Sequence, residues 1–371
     1  MFYIIIDIIL KLVEFFIRDI MYTVQNTDDL ASLSPYVIVG AGGGGEKFSC
    51  FTGVETLGFI DDSKQKQGKE FCGHVVEGDL AKLIKETNSK SVAIMLPIGA
   101  EGAALKHAVT ALSLGQNVIT SFRSLPLKDN PSLIKLAESE GVTIKEINSK
   151  LGALEEILDF APLVDTEVLP KFDYMHKKPV VFVAGTSQEC GKRTTTFNLG
   201  KIAEAKGLKS VVISTDEMGL EKPTYVNFRA FSLGVMDLAV AIMGVIKKIE
   251  EKEDPDIIFV EGQSSLTELG NPHPKGGAAS LLFGTKPDAV VLCHRPNHPN
   301  REPQGIAKEL RAVEAIQDTK VIGISVNRRN SPDEDLEAIE EEFNLPAVDI
   351  YADANGGIER LLDSICDYLD L

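Results

Sequence analysis

No two of the five cysteines, at positions 50, 72, 190, 293 and 366, form a C-x-x-C pair, and their number is odd. That excludes a disulfide framework and gives no zinc pattern, so a reducing cytoplasm is the expected compartment. Positive charge is scarce: 38 Lys and Arg stand against 55 Asp and Glu, for a net charge of −17. A surface that acidic disfavours nonspecific binding to nucleic acid or anionic lipid, so any bound phosphate must be held by local geometry. Long apolar runs are missing too. The opening MFYIIIDIILKLVEFFIRDIMY is apolar at 17 of 22 positions, yet its longest unbroken run is six residues, too short to span a bilayer. It has no basic leader and no small-residue cleavage site, which argues against a secretory signal.

Within that opening segment Asp7, Lys11, Glu14 and Arg18 recur at helical spacing and form one polar stripe. Residues 1–22 therefore read as an amphipathic helix with a wide apolar face. Such a face needs cover from the body of the protein or from a second subunit, and a homo-oligomer is expected. The stripe lacks the basic excess that would favour a membrane surface. The alternative is that translation starts at Met21 and the helix is never made. The whole chain, 371 residues with 44% apolar and 25% charged, is long enough for two ordinary domains.

The most informative stretch is VVFVAGTSQECGKRTTT, residues 180–196. An apolar strand runs into a glycine-bounded loop with Gly-Lys and several hydroxyls, followed by a helix over Thr194–Lys206. Backbone N–H groups of such a loop point at an anion, the helix adds the positive end of its dipole, and Lys192 supplies a mobile cation. The spacing departs from G-x-x-x-x-G-K-[ST]: five residues separate Gly185 from Gly191, and Arg193 stands where a metal-binding hydroxyl is usual. Thr194 comes one place later. The wider spacing resembles the loop of dethiobiotin-synthetase-like P-loop enzymes.

A second glycine run, Gly40 to Gly45, follows the strand Tyr36–Val39 and has the form G-x-G-x-x-G. A strand over Thr56–Ile60 ends at Asp61–Asp62. Asp61 lies 21 residues after Gly40, where a Rossmann unit hydrogen-bonds a ribose. Gly40, Gly42, Gly45 and Asp61 form the candidate second nucleotide or ligand site. The helix between them, about Glu46–Gly53, is short, and a Rossmann-like fold without a nucleotide is the competing reading.

Strands and helices keep alternating: a helix at Leu80–Thr87, a strand at Ser91–Leu96, a helix at Ala103–Leu114, a strand at Asn117–Ser121, a helix at Pro131–Glu140 and a strand at Val142–Ile147. The segment 148–178 breaks the rhythm. Beyond it come the strands Val180–Ala184, Ser210–Ser214, Ile257–Val260, Ala289–Leu292, Val321–Val326 and Ala347–Ile350. A long helical region covers Phe228–Glu250, and a last helix covers Gly357–Leu369. This predicts an α/β protein of two doubly wound parallel-sheet domains, Rossmann-like at 23–150 and P-loop NTPase-like at 179–371, with a linker over 151–178.

Ligand groups in such sheets gather beyond the carboxyl ends of the strands. Asp216, Glu261, Gln263, His294 and Asn327 all fall there. Glu261 suits a proton acceptor or a Mg²⁺ contact, and its bland alternative is a salt bridge to Lys192. Thr194, Asp216 and Glu261 are the candidate metal ligands. His294, within CHRPNHPN, suits proton transfer better than the metal cluster that Cys293, His294 and His298 would make. NPHPKGGAAS, residues 271–280, offers His273, Lys275 and backbone N–H groups to a small anionic substrate, or is a plain polar loop.

GTSQECGKRTTT, VEGQSSL, NPHPKGGAASLLFGTKPDAVVLCHRP and VIGISVN occur in the order seen in a family long known only as a domain of unknown function, which the chain resembles over roughly 36–371. Some members are described as D-glutamate N-acetyltransferases. The chain departs from the family pattern at Ser187, Cys190 and the turn Thr215–Gly219. The resemblance implies acetyl transfer from acetyl-CoA to the amino group of an acidic amino acid such as D-glutamate. Gly185, Thr186, Ser187, Cys190, Gly191, Lys192, Arg193, Thr194, Thr195 and Asn327 would hold the cofactor. Glu261, His294 and Gln263 would form the catalytic group. Two other readings stand beside it: an ATP- and Mg²⁺-dependent kinase or ligase acting on a small carboxylate, and a nucleotide-dependent regulatory or binding protein without chemistry.

Overall fold

The computed structural model describes residues 23–24, 27–97, 100–121, 127–147, 174–215, 224–227, 235–268, 272–299, 301–352 and 357–371. The predicted helix over 1–22, Asp216 and most of the predicted linker lie outside them. The chain divides into two units, Met1–Asn148 and Ser149–Leu371.

The first unit contains, in order, β1 (Thr23–Val24), α1 (Thr27–Ser32), β2 (Tyr36–Val39), α2 (Gly43–Ser49), β3 (Thr56–Ile60), β4 (Glu70–Phe71), β5 (His74–Glu77), α3 (Leu80–Glu86), β6 (Ser91–Ile94), α4 (Glu101–Leu112), β7 (Asn117–Thr120), α5 (Pro131–Glu140) and β8 (Ile144–Ile147). The strands form one sheet in the order β1-β8-β7-β6-β2-β3-β5-β4. All its pairs are parallel except β4 with β5, an antiparallel hairpin at the edge that periodicity did not reveal. Helix α5 shows how local chemistry sets the ends. The Asn130 side chain accepts from Ser132 N and Leu133 N, Pro131 occupies the first turn, and Gly141 closes the helix at φ 70°. Helix α2 begins earlier and ends earlier than the expected Glu46–Gly53.

The second unit contains β9 (Val180–Gly185), α6 (Lys192–Ala205), β10 (Ser210–Ser214), β11 (Thr224–Asn227), α7 (Val235–Glu253), β12 (Ile257–Glu261), α8 (Pro272–Thr285), β13 (Ala289–His294), α9 (Ile306–Ile316), β14 (Lys320–Val326), α10 (Leu336–Phe343), β15 (Ala347–Asp349) and α11 (Ile358–Leu369). Its seven strands are parallel in the order β11-β10-β12-β9-β13-β14-β15. The continuous apolar run of β9 follows from burial on both faces. Val180, Phe182 and Ala184 pack under α7, α8 and α9, whereas Val181 and Val183 pack under α6 and α11. The stretch 271–280, expected as an anion-binding or plain polar loop, is largely the start of α8. Part of the expected linker is anchored as well: Lys177 N and Lys178 N donate to Glu250 Oε1 at 2.5 and 2.6 Å, and the His176 ring meets Lys286 O at 2.8 Å.

Among the described residues, no helix is long and apolar enough to cross a membrane.

Candidate active site

The loop between β9 and α6 is built as its sequence requires. Gly191 caps α6 at φ 115°, a conformation that L side chains rarely adopt. A Cβ there would fall 2.8 Å from Ile350 Cδ1, so glycine also permits close packing against the residue that follows β15. Helix α6 starts two residues before the expected Thr194, which makes Lys192 its first residue. The Lys192 side chain curls back over the loop. Its Nζ donates to Ser187 O at 2.7 Å and lies 3.7 Å from Cys190 Sγ. It also lies 3.0 Å from where a Gly185 Cβ would be. The ammonium thus occupies the inside of the loop, where a phosphate oxygen would compete for it.

Residues at the end of β13 and beyond it clamp the loop from outside. Thr186 N donates to Cys293 O at 2.9 Å, and Gln304 N donates to Thr186 O at 2.9 Å. Thr186 Oγ1 and His294 Nδ1 are 2.9 Å apart. Arg295 Nη1 donates to Glu189 O at 3.2 Å, and its Nε donates to Asn330 Oδ1 at 3.0 Å. His298 Nε2 lies 3.5 Å from Glu189 Oε2. Burial lowers His294 to a pKa of about 4, so the ring is neutral at physiological pH. Burial, with Arg295 next in weight, also holds His298 below the usual imidazole range.

Several hydroxyls and cations of the loop meet other groups of the protein. Thr195 is fully buried; its Oγ1 pairs with Ser325 Oγ at 2.7 Å and accepts from Cys293 Sγ at 3.3 Å. The side chain of Thr195, the third residue after Lys192, thus points under the helix, into the sheet. Arg193 lies over the Phe197 ring, its Cζ 5.1 Å from the centroid. Ser187 Oγ donates to Gln188 O at 3.0 Å, and Thr194 is half-buried on the first turn of α6. Burial pushes the Cys293 thiol upward, which keeps it protonated.

Glu261 closes β12 and is 4% exposed. Its Oε2 accepts from Ser214 Oγ at 2.8 Å and from Thr215 N at 3.1 Å. Gln263 Nε2 donates to Thr215 Oγ1 at 2.6 Å and to Thr215 O at 3.1 Å. Glu261 and Gln263 are therefore brought together at the end of β10, while Lys192 turns to Ser187 O. Asn327, at the end of β14, donates its N–H to His294 O at 2.7 Å and accepts from Arg329 N at 3.2 Å. Its side chain would touch a Gly191 Cβ at 3.7 Å, so it borders the loop.

Glu309 on α9 carries no local signal in the sequence. It is fully buried and holds the segment after Glu261. It accepts from Ser265 Oγ at 2.7 Å, Leu266 N at 3.1 Å, Thr267 N at 2.8 Å and Thr267 Oγ1.

The three residues expected to hold a metal ion are not all described, since Asp216 lies outside the described residues. Among the described residues no group of three His, Cys, Asp or Glu side chains could hold one, and Oε2 of Glu261 already has two donors. Cys293, His294 and His298 point to Thr195, Thr186 and Glu189 rather than to a common centre.

The glycine run of the first unit is also a tight turn. Gly40 has φ 111°, a Cβ on it would lie 2.6 Å from Met95 O, and one on Gly45 would lie 2.1 Å from Gly40 O. Gly42 has no such demand, with φ −159° and only Lys66 Nζ nearby at 3.9 Å. Asp61 does not present a vacant ribose acceptor. Its Oδ2 accepts from Ala41 N at 3.0 Å and Lys66 Nζ at 2.8 Å, and its Oδ1 accepts from Ser63 N at 2.9 Å. Burial alone would raise the Asp61 carboxyl, but Lys66 and these N–H groups outweigh it and hold the pKa below the usual range. The acid sits where the motif predicted, and it closes the glycine turn.

Residues 171–362 match a family described as a domain of unknown function, DUF1611_C, P-loop domain. Residues 64–150 match its partner, DUF1611_N, described as a Rossmann-like domain. The chain is similar to a D-glutamate N-acetyltransferase of Tritonibacter scottomollicae, 27% identical over 277 residues, covering 70% of this chain and 75% of that one. It is also similar to a D-glutamate N-acetyltransferase of Pseudoalteromonas sp, 26% identical over 211 residues, 52% of this chain and 60% of that one. The crystal structure of a DUF1611 family protein from Anabaena variabilis ATCC 29413 shares the fold, with a TM-score of 0.66 at 19% identity, covering 90% of this chain and 99% of that chain.

Proposed function

The chain belongs to the DUF1611 family, and from that premise we propose that its second unit binds acetyl-CoA and transfers the acetyl group to the amino group of an acidic amino acid such as D-glutamate. The observation that carries the reading is the Gly185–Lys192 loop, where a buried ammonium bonds only weakly competing carbonyl and thiol groups of its own loop. The phosphates of CoA are stronger acceptors and would displace Ser187 O from Lys192.

The chemistry needs a free amine. The substrate ammonium gives a proton to the Glu261 carboxylate. The amine then attacks the thioester carbonyl carbon, and the C–S bond breaks as the amide forms. CoA leaves as the thiolate and takes up a proton, so that amide, CoA thiol and one released proton balance the ammonium and the thioester. Ser214 and Thr215 fix the Glu261 carboxylate, and Gln263 holds Thr215 in place for that role. His294 is neutral; it fixes the Thr186 hydroxyl and can relay a proton at the loop.

The test is acetyl-CoA turnover with D-glutamate, with L-glutamate as control. Glu261→Gln keeps the shape, and it should cut turnover by roughly 10²–10⁴ while acetyl-CoA affinity stays nearly unchanged, the loss expected of a general base. Full turnover in that variant, or no turnover with any acidic amino acid, refutes the assignment. ATP-dependent activation of a carboxylate is the second reading, favoured by an acid at the strand end beside a lysine loop. It is selected instead if ATP with Mg²⁺ raises the melting temperature and acetyl-CoA does not.

A further inference from the structure

Beyond β14 and β15 an aromatic ring stands exposed next to the phosphate loop. Tyr351 follows Ile350, which is buried against Gly191, yet the Tyr351 side chain is 49% exposed. A single exposed tyrosine is ordinary. Three further features set this one apart. Its backbone is fixed, because Tyr351 N donates to Asp349 Oδ1 at 2.9 Å and Ile350 N donates to Val326 O at 3.0 Å. The Arg329 guanidinium lies over the ring, with Cζ 5.6 Å from the centroid. And Arg329 N is tied to Asn327 Oδ1 at 3.2 Å, which places Asn327 between the platform and the loop.

That tie also orients the Asn327 amide. With Oδ1 accepting from Arg329 N, its Nδ2 is left as a donor, and it would lie 3.7 Å from a Cβ on Gly191. Gly191, Asn327, Arg329 and Tyr351 therefore form a continuous path from the N-terminus of α6 to an exposed π face. A ligand whose phosphates sit in the Gly185–Gly191 loop has its ribose and base several bonds away. Along this path the base meets first a hydrogen-bond donor and then an aromatic and cationic stacking surface. Aromatic rings and guanidinium planes stack on nucleobases, and an amide donor suits the ring nitrogen acceptors of a purine.

We propose that Tyr351 and Arg329 form the base platform of this site, with Asn327 at the base edge, and that the ligand is an adenine nucleotide or a cofactor built on one, such as CoA. The proposal rests on the reading of the Gly185–Lys192 loop as a phosphate site, and it goes beyond that reading by placing the base.

The chain has no tryptophan, so Tyr351→Trp introduces a single emitting reporter. Emission of that variant should fall on titration with ADP and with CoA, and stay constant with inorganic pyrophosphate. Tyr351→Ala should weaken ADP binding by about tenfold or more, a loss of about 1.4 kcal/mol, while pyrophosphate affinity, read by calorimetry, is unchanged. Tyr351→Phe keeps the ring and should bind ADP as the parent does. ADP that binds by calorimetry without quenching the Trp, or a Tyr351→Ala loss equal for ADP and pyrophosphate, overturns the platform alone. ADP and CoA that fail to bind the unaltered protein overturn the phosphate loop and the platform together. Binding and quenching without acetyl transfer leave the platform standing and refute only the acetyltransferase reading.

Discussion

Replacing His294 by Asn removes one titrating group from the loop clamp and leaves an amide near the position of Nδ1, so that Thr186 Oγ1 keeps a partner. The folded-state pKa of His294 is about 4, against 6.5 for the ordinary imidazole, and burial is the cause. The sign follows from which state takes the proton first. The unfolded chain protonates as the pH falls through about 6.5, whereas the folded chain stays neutral until about 4. Stability is therefore complete above the unfolded value, is lost progressively between the two, and changes no further below the folded value. Carried through linkage, the full loss is about 3 kcal/mol, and by a pH near 5 it is already about 2 kcal/mol. Urea denaturation of the parent protein and of His294→Asn, near pH 7 and near pH 5, cancels the other titrating groups. The difference in unfolding free energy between the two proteins should shift by about 2 kcal/mol in favour of the variant on acidification. A difference that does not move with pH would show that His294 titrates normally and that the clamp does not bury it.

Lys192→Ala should weaken CoA or nucleotide binding at least tenfold, about 1.4 kcal/mol, with the melting temperature of the free protein preserved; unchanged affinity in the folded variant refutes the phosphate-loop assignment. Glu309→Ala strands the N–H groups of Leu266 and Thr267 together with two hydroxyls, and should cost about 2–4 kcal/mol by urea denaturation, a loss that Glu309→Gln recovers in part. Asn130→Ala removes the side-chain acceptor at the start of α5 and should cost about 1 kcal/mol, seen as faster amide exchange at Ser132 and Leu133.

Much of the fold was legible because burial on both faces of a parallel sheet writes strands as plain apolar runs. β2, β3 and β10 fall on the expected residues, and so does α5, whose cap, proline and terminal glycine are all local signals. What was not legible had the wrong local chemistry for its structure. The β4–β5 hairpin turns through Cys72 at φ 49° and Gly73 at φ 78°. That pair of left-handed residues usually announces itself as Asn-Gly or Asp-Gly, and a cysteine in the first place hides it. Helix α8 opens on Pro272, His273 and Pro274, which punctuate like a loop. A proline at the start of a helix costs no hydrogen bond, and the apolar Leu281 and Leu282 further along supply the packing that holds the helix in place.

The site shows the same division between position and partner. Strand ends correctly placed Glu261, Gln263, His294 and Asn327 on one edge of the sheet, because chain order and parallel topology fix that edge. Partners depend on residues far along the chain and left no trace: Glu309 reaches back 44 positions to Ser265, and Ser214 reaches 47 positions to Glu261. Asp61 is the clearest case of a right position with an unforeseen partner, since a lysine five residues on folds back to bond it.

The partners also weigh between the two enzyme readings. A metal contact asks a carboxylate for lone pairs aimed at a common centre with other oxygen ligands. Oε2 of Glu261 takes a hydroxyl and a backbone N–H from the end of β10, Arg193 stands in the place of the usual metal-binding hydroxyl and lies over Phe197, and Asp216 lies outside the described residues. A general base has smaller needs: one fixed carboxylate, shielded from water, within reach of the proton it removes. The buried, doubly held Glu261 meets the first two of these. Lys192 sits inside the turn, where phosphate charge would arrive in the proposed function. If the loop grips phosphates by lysine and backbone, as proposed, it suits a cofactor whose phosphates are a handle, and acyl transfer from CoA uses them only in that way.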